Sequence, residues 1–456
     1  MKKWRPYPKY KPSGIEWLGE IPVHWEVKRL RHVAAVNPVK SEVAGWPSDT
    51  EVSFVPMEAL CEFGGLILDE TRLLGDIYQG YTFFRDGDVI IAKITPCFEN
   101  GKGSIAQGLS NGVGFGTTEL HVIRPRSELD VNFFFYFSIS SPFRRLGEAE
   151  MYGAGGQKRV PDSFVRNYQV PLPRLSEQRA IATFLDRETA RIDALIEKKE
   201  RQIELLQEKR TALISHAVTK GLNPNVKMKD SGVEWLGEIP EHWETFVLRR
   251  VATRIQTGST PPTAEDRYYE NGNIPWYGPG SFGIDLVLTS PAKLIAQEAV
   301  RDGVARLFDR GSAMIVTIGA TIGKVGYIDH EASCNQQITV VTFDKRKVAG
   351  KFASYQLKRL EPVLQGIAPS TTLPIMTQHQ VGDLPFALPP LGEQKDIVAY
   401  IDAKAGKIDT LVRKIRESIN TLREYRTALI TAAVTGKIDV RLAAAENTAQ
   451  AGEEAA

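Results

Sequence analysis

The sequence has little cysteine and little net charge. Its three cysteines, Cys61, Cys97 and Cys334, are scattered without a CxxC pair, which excludes a disulfide framework and argues against a structural zinc site. The formal net charge is only +2, so any basic surface for a nucleic acid must be local. No N-terminal stretch resembles a signal peptide, and no apolar run approaches the ~20 residues of a membrane span. These absences predict a cytoplasmic protein.

Catalytic motifs are also missing from the sequence. There is no HExxH, no GxSxG, no NPPY-like motif and no glycine-rich SAM loop after a strand. Residues 319–325, GATIGKV, faintly resemble a phosphate loop. However, three residues instead of four separate the glycines, and Val325 stands where a magnesium-binding Ser or Thr is required. The sequence therefore predicts no catalytic residue, no metal site and no cofactor bound by this chain.

An internal repeat organises the chain. Residues 172–222 return as 388–438 after a shift of 216 positions, and such repetition governs architecture. Each copy opens with a proline-ended stretch and continues as a predicted helix of about 43 residues, or roughly 65 Å at ~1.5 Å per residue. Ser176 is the expected N-cap of the first helix, with Glu177 in the first turn, where the helix dipole favours an anion.

Apolar residues recur every three or four positions in both helices, which is the pattern of a coiled-coil seam. Because the two seams match and lie on one chain, we predict that the helices pack against each other. Packing of each helix on its own domain is the alternative. The predicted seam consists of Ile181, Leu185, Ile192, Leu195, Leu206 and Leu213 in the first helix, and of Ile397, Ile401, Ile408, Leu411, Ile415, Leu422, Tyr425 and Leu429 in the second.

A shorter repeat precedes each variable region. Residues 13–26, which contain WLGEIP, return as 231–244 after a shift of 218 positions, with both tryptophans in place. This Trp box predicts a packing or docking module. Between each box and its helix lies a stretch, 27–171 or 245–387, that is far less alike between copies and reads as mixed α/β with many short strands.

The predicted fold is therefore α/β (α+β). It has two globular mixed α/β domains separated by two long antiparallel coiled-coil helices in a pseudo-two-fold repeat. The predicted boundaries are 1–171 for the first domain, 172–222 for the central helix, 223–387 for the second domain, 388–440 for the C-terminal helix and 441–456 for a disordered tail.

WLGEIPxHWE occurs twice, and the motifs LPPLxEQ and RTALIxxAVTGxID of the second copy have close counterparts, LPRLSEQ and RTALISHAVTKGLN, in the first. Together the repeated motifs extend over roughly 13–440. This layout closely resembles the specificity subunit of type I restriction–modification systems. The resemblance implies a non-catalytic subunit with two target recognition domains, each reading one half of a bipartite DNA target. It also implies helices that space the domains, two modification subunits that carry SAM and methylate adenine, and restriction subunits that use ATP and Mg²⁺.

Residues that contact DNA are expected in polar loops at corresponding places in both domains, beside glycines that let the backbone approach a ligand. Solvated loop residues are the alternative for each position. The candidates are Lys93, Thr95, Asn100, Lys102, Thr117, Thr118, Glu119, Gln157, Lys158 and Arg159 in the first domain, and Thr317, Thr321, Lys324, Asn335, Gln336, Gln337, Ser370, Thr371 and Thr372 in the second.

Two other classes of function compete with this interpretation. One is an enzyme with an unrecognised site, which the lack of a carboxylate cluster or cofactor loop shared by both domains disfavours. The other is a coiled-coil scaffold or adaptor without sequence-specific DNA binding, which a salt-dependent gel shift would distinguish.

Overall fold

The computed structural model describes residues 4–153, 156–367 and 374–441. They divide between two compact units, which we call the first unit (Met1–Lys199 with Glu417–Ala456) and the second unit (Glu200–Arg416). Each unit therefore contains one globular domain and part of each long helix. Of the predicted tail, 441–456, residues 442–456 lie outside the described residues.

The first unit is built from short strands and helices that precede the first long helix. Its strands are β1 (Tyr10–Pro12), β2 (Glu20–Pro22), β3 (Glu26–Arg29), β4 (Ala34–Val36), β5 (Glu51–Val55), β6 (Thr71–Leu73), β7 (Thr82–Arg85), β8 (Val89–Ala92), β9 (Gly103–Ile105), β10 (Val113–Gly116), β11 (Leu120–Pro125) and β12 (Gln169–Leu172). Its short helices are α1 (Leu30–Val33), α2 (Leu74–Ile77), α3 (Val131–Ser138), α4 (Ser141–Ala149) and α5 (Asp162–Asn167).

The second unit repeats this plan between the two long helices, α6 (Leu175–Lys220) and α11 (Leu391–Val434). Its strands are β13 (Met228–Asp230), β14 (Glu238–Pro240), β15 (Glu244–Val247), β16 (Ala252–Thr257), β17 (Ile274–Tyr277), β18 (Lys293–Ile295), β19 (Ser312–Val316), β20 (Val325–Ile328), β21 (Ser333–Cys334), β22 (Ile338–Phe343) and β23 (Pro385–Leu388). Its short helices are α7 (Gln297–Arg301), α8 (Gly350–Arg359), α9 (Glu361–Ile367) and α10 (Gln378–Gly382).

The two domains have the same topology in one four-stranded sheet and share a parallel pair in a second sheet, which has four strands in the first domain and three in the second. One sheet runs β4-β11-β8-β9 in the first domain and β16-β22-β19-β20 in the second. A second sheet contains the parallel pair β5 and β10 in the first domain, and the parallel pair β17 and β21 in the second. Strands β8 and β19 are buried along their whole length, as continuous apolar runs predict for strands covered on both faces.

The long helices contain 46 and 44 residues. The backbone N–H of Gln178 donates to the carbonyl of Arg174, and α6 begins at Leu175, two residues earlier than an N-cap at Ser176 predicts. Ser176 thus lies inside the first turn and is not the N-cap, because the chain becomes helical as soon as it has passed Pro173.

Each unit contains an ion pair between the two long helices. Arg426 on α11 meets Asp193 on α6 at 3.2 Å in the first unit. In the second unit, Arg210 on α6 meets Asp409 on α11 at 2.9 Å. From the first pair to the second, the residue number increases on α6 and decreases on α11, so the two helices run antiparallel, as predicted. The 216-residue shift relates Asp193 to Asp409 and Arg210 to Arg426, so both ion pairs use the same two positions of the repeat.

Most predicted seam residues are buried or partly buried, but Leu195 and Leu411 are 41% and 42% exposed. Ile196 and Val412 are buried instead. Both corrections have the same cause. With ~3.6 residues per turn, the next buried position after Ile192 and after Ile408 lies four residues further along the helix, and not three. The buried set is Ile181, Leu185, Ile192, Ile397, Ile401, Ile408, Ile415 and Leu429, and the partly buried set is Leu206, Leu213, Leu422 and Tyr425.

Candidate nucleic-acid interface

Three of the predicted loop segments meet beyond the end of β8 in the first domain. The backbone N–H of Lys93 donates to the backbone carbonyl of Glu119 (2.9 Å), and that of Val160 donates to the carbonyl of Lys93 (2.8 Å). The backbone N–H of Thr95 donates to the carbonyl of Lys158 (3.0 Å). These bonds join segments 93–95, 117–119 and 158–160 into one surface, which we call the first frame.

The second domain makes the same three hydrogen bonds with different residues. The backbone N–H of Thr317 donates to the carbonyl of Gln337 (2.8 Å), and that of Met376 donates to the carbonyl of Thr317 (2.8 Å). The backbone N–H of Gly319 donates to the carbonyl of Pro374 (3.1 Å). Segments 317–319, 335–337 and 374–376 therefore form a second frame. Its positions correspond to those of the first, with Thr317 at the place of Lys93, Gln337 at the place of Glu119 and Pro374 at the place of Lys158.

The side chains on the two frames differ in chemistry. In the first frame, Arg159 donates through Nε and Nη2 to the two carboxylate oxygens of Glu119 (2.9 and 2.7 Å). These bonds hold the pKa of the Glu119 carboxyl below its usual range and raise the pKa of Arg159. In the second frame, Gln337 is neutral and accepts from the Asn335 side-chain amide (2.9 Å).

The remaining candidates of the first domain lie around the frame. Thr95 donates its hydroxyl to Glu99 (2.9 Å), and the Thr117 hydroxyl accepts from the backbone N–H of Glu119 (3.3 Å). The ammonium of Lys102 donates to the carbonyl of Met57 (3.1 Å), and this lysine is half-buried. The exposed candidates are Asn100, Thr118, Gln157 and Lys158.

Several candidates of the second domain support the frame through their own hydrogen bonds. Thr317 is 1% exposed and its hydroxyl lies 3.0 Å from that of Thr339. Asn335 is buried, Thr321 is half-buried, and Lys324 donates to the carbonyl of Phe282 (3.3 Å). Gln336 is exposed. The predicted Ser370, Thr371 and Thr372 lie outside the described residues.

Sequence reasoning missed the role of one glutamate at the start of each long helix. The Glu177 carboxylate accepts from the Tyr7 hydroxyl (2.8 Å) and the Trp25 indole (3.2 Å), and it lies 2.8 Å from His24 Nε2. In the second unit, Glu393 accepts from the Trp243 indole (3.1 Å) and lies 2.8 Å from a histidine ring nitrogen, that of His242. The repetition of His-Trp in the box together with Glu on the helix was the available signal.

The glutamine that follows each of these glutamates ties the helix to its domain. The Gln178 amide donates to the carbonyls of Glu128 and Pro173 (2.9 Å each). Gln394 donates to the carbonyls of Lys347 (2.9 Å) and Pro389 (2.8 Å). Both glutamines are fully buried. The Glu-Gln pair therefore fixes the box, the helix and the domain together in each unit, and Trp25 and Trp243 serve core packing.

An apolar groove lies beside the outer tryptophan of each box. The first groove, of about 720 Å³, is lined by Trp17, Pro142 and Thr427 among others. The second, of about 460 Å³, is lined by Trp235, Pro362 and Thr211 among others. The paired tryptophans are related by the 218-residue shift, and the paired threonines by the 216-residue shift. Each unit thus presents an equivalent groove on its own residues.

Within residues 4–153, 156–367 and 374–441, no group of three or more His, Cys, Asp or Glu side chains is placed to hold a metal ion. Among the helices of the same segments, none has the length and apolar character needed to cross a membrane.

The two frames and the repeated helices define a protein made of two related domains whose equivalent frames carry different polar side chains. The family model of the type I restriction modification DNA specificity domain matches residues 22–205 and 240–421. The chain therefore belongs to the family of type I restriction–modification specificity subunits. The predicted family, that of the specificity subunits, and the predicted fold are confirmed.

Named relatives carry the same description. The chain is 47% identical over 169 residues to the EcoEI specificity subunit, and 43% identical over 183 residues to the EcoAI specificity subunit, both from Escherichia coli. These matches cover 36% and 40% of this chain, but 28% and 30% of those subunits. Over 93% of this chain and 96% of the relative, it is 24% identical to a putative MjaX specificity subunit from Methanocaldococcus jannaschii.

Two solved structures share the fold. A chain from a structure of the assembly and conformational transition of a type I R-M system superposes with a TM-score of 0.72 at 22% identity, and the match covers 92% of this chain and 99% of that one. The HsdS subunit from Thermoanaerobacter tengcongensis gives a TM-score of 0.54 at 21% identity, with 92% and 98% covered.

Proposed function

We propose that this chain is the non-catalytic subunit that selects the DNA target of a type I restriction–modification complex, and that each domain reads one half of a bipartite site. The observation that carries this proposal is the pair of frames. They share three backbone hydrogen bonds but differ in the charge and polarity of their side chains. A fixed scaffold with exchanged side chains is what two readers of different base sequences require.

The local charge of the first frame suits a duplex. Lys93, Lys158 and Arg159 lie on one surface, although the whole chain has a net charge of only +2. Cations of this kind neutralise phosphates and position a reader, while contacts to base edges supply the specificity. Lys158 is exposed at the rim of the frame and is therefore our candidate for a phosphate contact.

The long helices support a role as spacer. At ~1.5 Å per residue, the 46 residues of α6 and the 44 residues of α11 correspond to roughly 69 and 66 Å of helix. One turn of B-DNA occupies ~34–36 Å, so rods of this length suit two half-sites separated by a nonspecific spacer. A flexible linker could not fix such a separation.

The repeated parts support two equivalent docking sites. The apolar grooves occur once in each unit with matching residues. A surface that is duplicated suits a partner that binds twice. We assign these surfaces to two modification subunits, with restriction subunits joining the same complex. SAM, ATP and Mg²⁺ would then be bound by those partners.

The decisive test is selection of targets from a pool of random duplexes by the full-length chain assembled with its modification subunits. We expect a bipartite motif with a fixed spacer, and no methylation by the chain alone. Binding without sequence preference would support a scaffold and contradict the proposal. Methylation by the isolated chain would instead reveal an enzyme.

Matched variants in the grooves test the docking of two partners. We expect Thr427→Arg or Thr211→Arg to leave one modification subunit bound, and the double variant to leave none, because each arginine fills one groove. Mass photometry of the assembled complex measures the stoichiometry. Full assembly by the double variant would exclude the grooves as docking sites.

A further inference from the structure

One position lies at the same place on both frames and carries opposite chemistry. Arg159 forms an isolated antiparallel bridge with Ile94 in the first frame, and Ile375 forms the equivalent bridge with Ile318 in the second. The hydrogen bonds on either side of each bridge are also equivalent. The two side chains therefore leave the same backbone scaffold at the same point.

The guanidinium of Arg159 is held by one edge and presents another. Glu119 occupies the edge formed by Nε and Nη2. On the outer edge, the contact that the described residues provide to Nη1 is a long one, 3.5 Å to the carbonyl of Gln157. The Arg159 side chain is 39% exposed and that of Glu119 is 23% exposed. Among the described residues, the outer edge of this guanidinium has only that long contact, and its Nη1 and Nη2 N–H groups have the spacing of guanine O6 and N7.

At the equivalent point, Ile375 exposes an apolar side chain on a polar surface. It is 46% exposed, whereas the next residue, Met376, is 3% exposed. Gln337 stands at the place of Glu119 and has no charge to hold a cation. The base edge that suits an exposed branched aliphatic group is the C5 methyl of thymine in the major groove.

We propose that position 159/375 is a specificity-determining position, at which Arg159, positioned by Glu119, reads a guanine in one half-site and Ile375 reads a thymine methyl in the other. This inference rests on the proposed function, because it requires that the frames face DNA. The competing explanation is that Arg159 and Glu119 form an ordinary surface ion pair, which would contribute to neither base preference.

Neighbouring cations provide a matched control. Arg159→Met and Lys158→Met each remove one positive charge from adjacent residues of the same loop. We expect Arg159→Met to reduce the preference for one guanine about 10- to 100-fold and to spare the other base pairs. Lys158→Met should weaken all duplexes equally and reduce the salt slope by about one.

Glu119 and Ile375 are tested in the same panel of single-base-substituted duplexes, with the full-length chain and its modification subunits. Glu119→Gln retains the shape of the side chain but not its charge, so the guanine preference should fall while the other positions are unchanged. For Ile375, replacing a single thymine by uracil should weaken binding by the wild type about fourfold, the effect of one buried methyl group. The same replacement should not affect Ile375→Ala.

The reciprocal experiment transfers the pair. Gln337→Glu with Ile375→Arg should create a new guanine preference in the second half-site. The inference is overturned if Arg159→Met leaves every base preference intact, or if uracil and thymine bind the wild type equally at every position. Failure of the proposed function has a different signature, because the wild type itself would then show no bipartite motif.

Discussion

The two domains are alike where they meet the long helices and different where their frames face outward. Gln178 and Gln394 make the same two kinds of hydrogen bond in both units, while Arg159 and Ile375 occupy one backbone position with unrelated side chains. The backbone hydrogen bonds of the two frames are thus the same, while the exposed side chains differ. Under the proposed function, a change at a few exposed positions is enough to alter the target.

The first prediction concerns the exchange of a whole domain interior. Replacing 245–387 by the corresponding interior of another family member should change one half-site completely. We expect binding to the original bipartite target to fall by about 1,000-fold or more, the usual gap between specific and nonspecific sites. Selection from random duplexes measures both half-sites in one experiment.

The half-site that we assign to the first domain serves as the internal control for this exchange. It should be unchanged, because none of its frame residues is replaced. A chimera in which both half-sites change would show that the domains do not read independently, and would contradict the two-reader model.

The second prediction alters what the domains share. Inserting one heptad within 185–213 and a matching heptad within 401–429 keeps the seam in register and lengthens each helix by about 10 Å. The preferred spacer should grow by about three base pairs, since each base pair adds ~3.4 Å, while both half-sites keep their bases. On the original spacing we expect a loss of about 10- to 100-fold, measured by titration of duplexes with graded spacers. An unchanged preferred spacer would show that the length of the helices does not set the separation of the half-sites.

The sequence alone predicted the repeat, the long helices and most of the buried seam, because periodicity and punctuation by proline are local signals. It misplaced Leu195 and Leu411, whose neighbours Ile196 and Val412 are buried instead, because a heptad pattern leaves the choice between steps of three and four open. The frames could not be derived from local signals, because their hydrogen bonds join residues about 20 to 26 and about 55 to 67 positions apart along the chain. Ile375 was not predicted as a surface residue, because the exposure of an apolar side chain depends on the three-dimensional structure and not on a local sequence signal.

The third prediction concerns the glutamates that contact the two Trp boxes, Glu177 and Glu393. Glu177 is 7% exposed and contacts Tyr7, His24 and Trp25, whereas the Glu393 side chain is 29% exposed and contacts two residues. Glu177→Ala leaves more buried donors unpaired, so we expect it to cost about 2–4 kcal/mol of unfolding free energy, against about 1–2 kcal/mol for Glu393→Ala.

Amide hydrogen exchange resolves the two units separately and is therefore the appropriate measurement for this pair of variants. Glu197→Ala, on the exposed side of α6, is the control and should change stability by less than about 0.5 kcal/mol. Equal losses for Glu177→Ala and Glu393→Ala would show that burial of the carboxylate does not determine its contribution.

The fourth prediction concerns a buried histidine that only one of the two sheets carries. His121 on β11 is 1% exposed and its Nε2 lies 2.9 Å from the carbonyl of Val160, within the first frame. At the same position of β22, the second domain has Thr339. Burial lowers the pKa of His121 below 6.5, and nearby Lys93 and Arg166 act in the same direction, against the carboxylate of Asp162.

Because the folded state holds His121 neutral at pH values where the unfolded chain is protonated, the unfolded state binds more protons below pH 6.5. The stabilisation is therefore complete above the unfolded pKa and is lost as the pH falls from about 6.5 toward the lower folded value. We expect exchange protection of β11, corrected for the intrinsic pH dependence of exchange, to fall on acidification by up to about 1.4 kcal/mol for each unit of pKa difference. Protection of β22 should not show this component, and His121→Gln, which retains a side-chain donor for Val160, should remove it from β11. If β11 of the His121→Gln variant retains the wild-type pH slope, acid sensitivity of the first frame has another origin and the contrast between the two sheets does not lie at this residue.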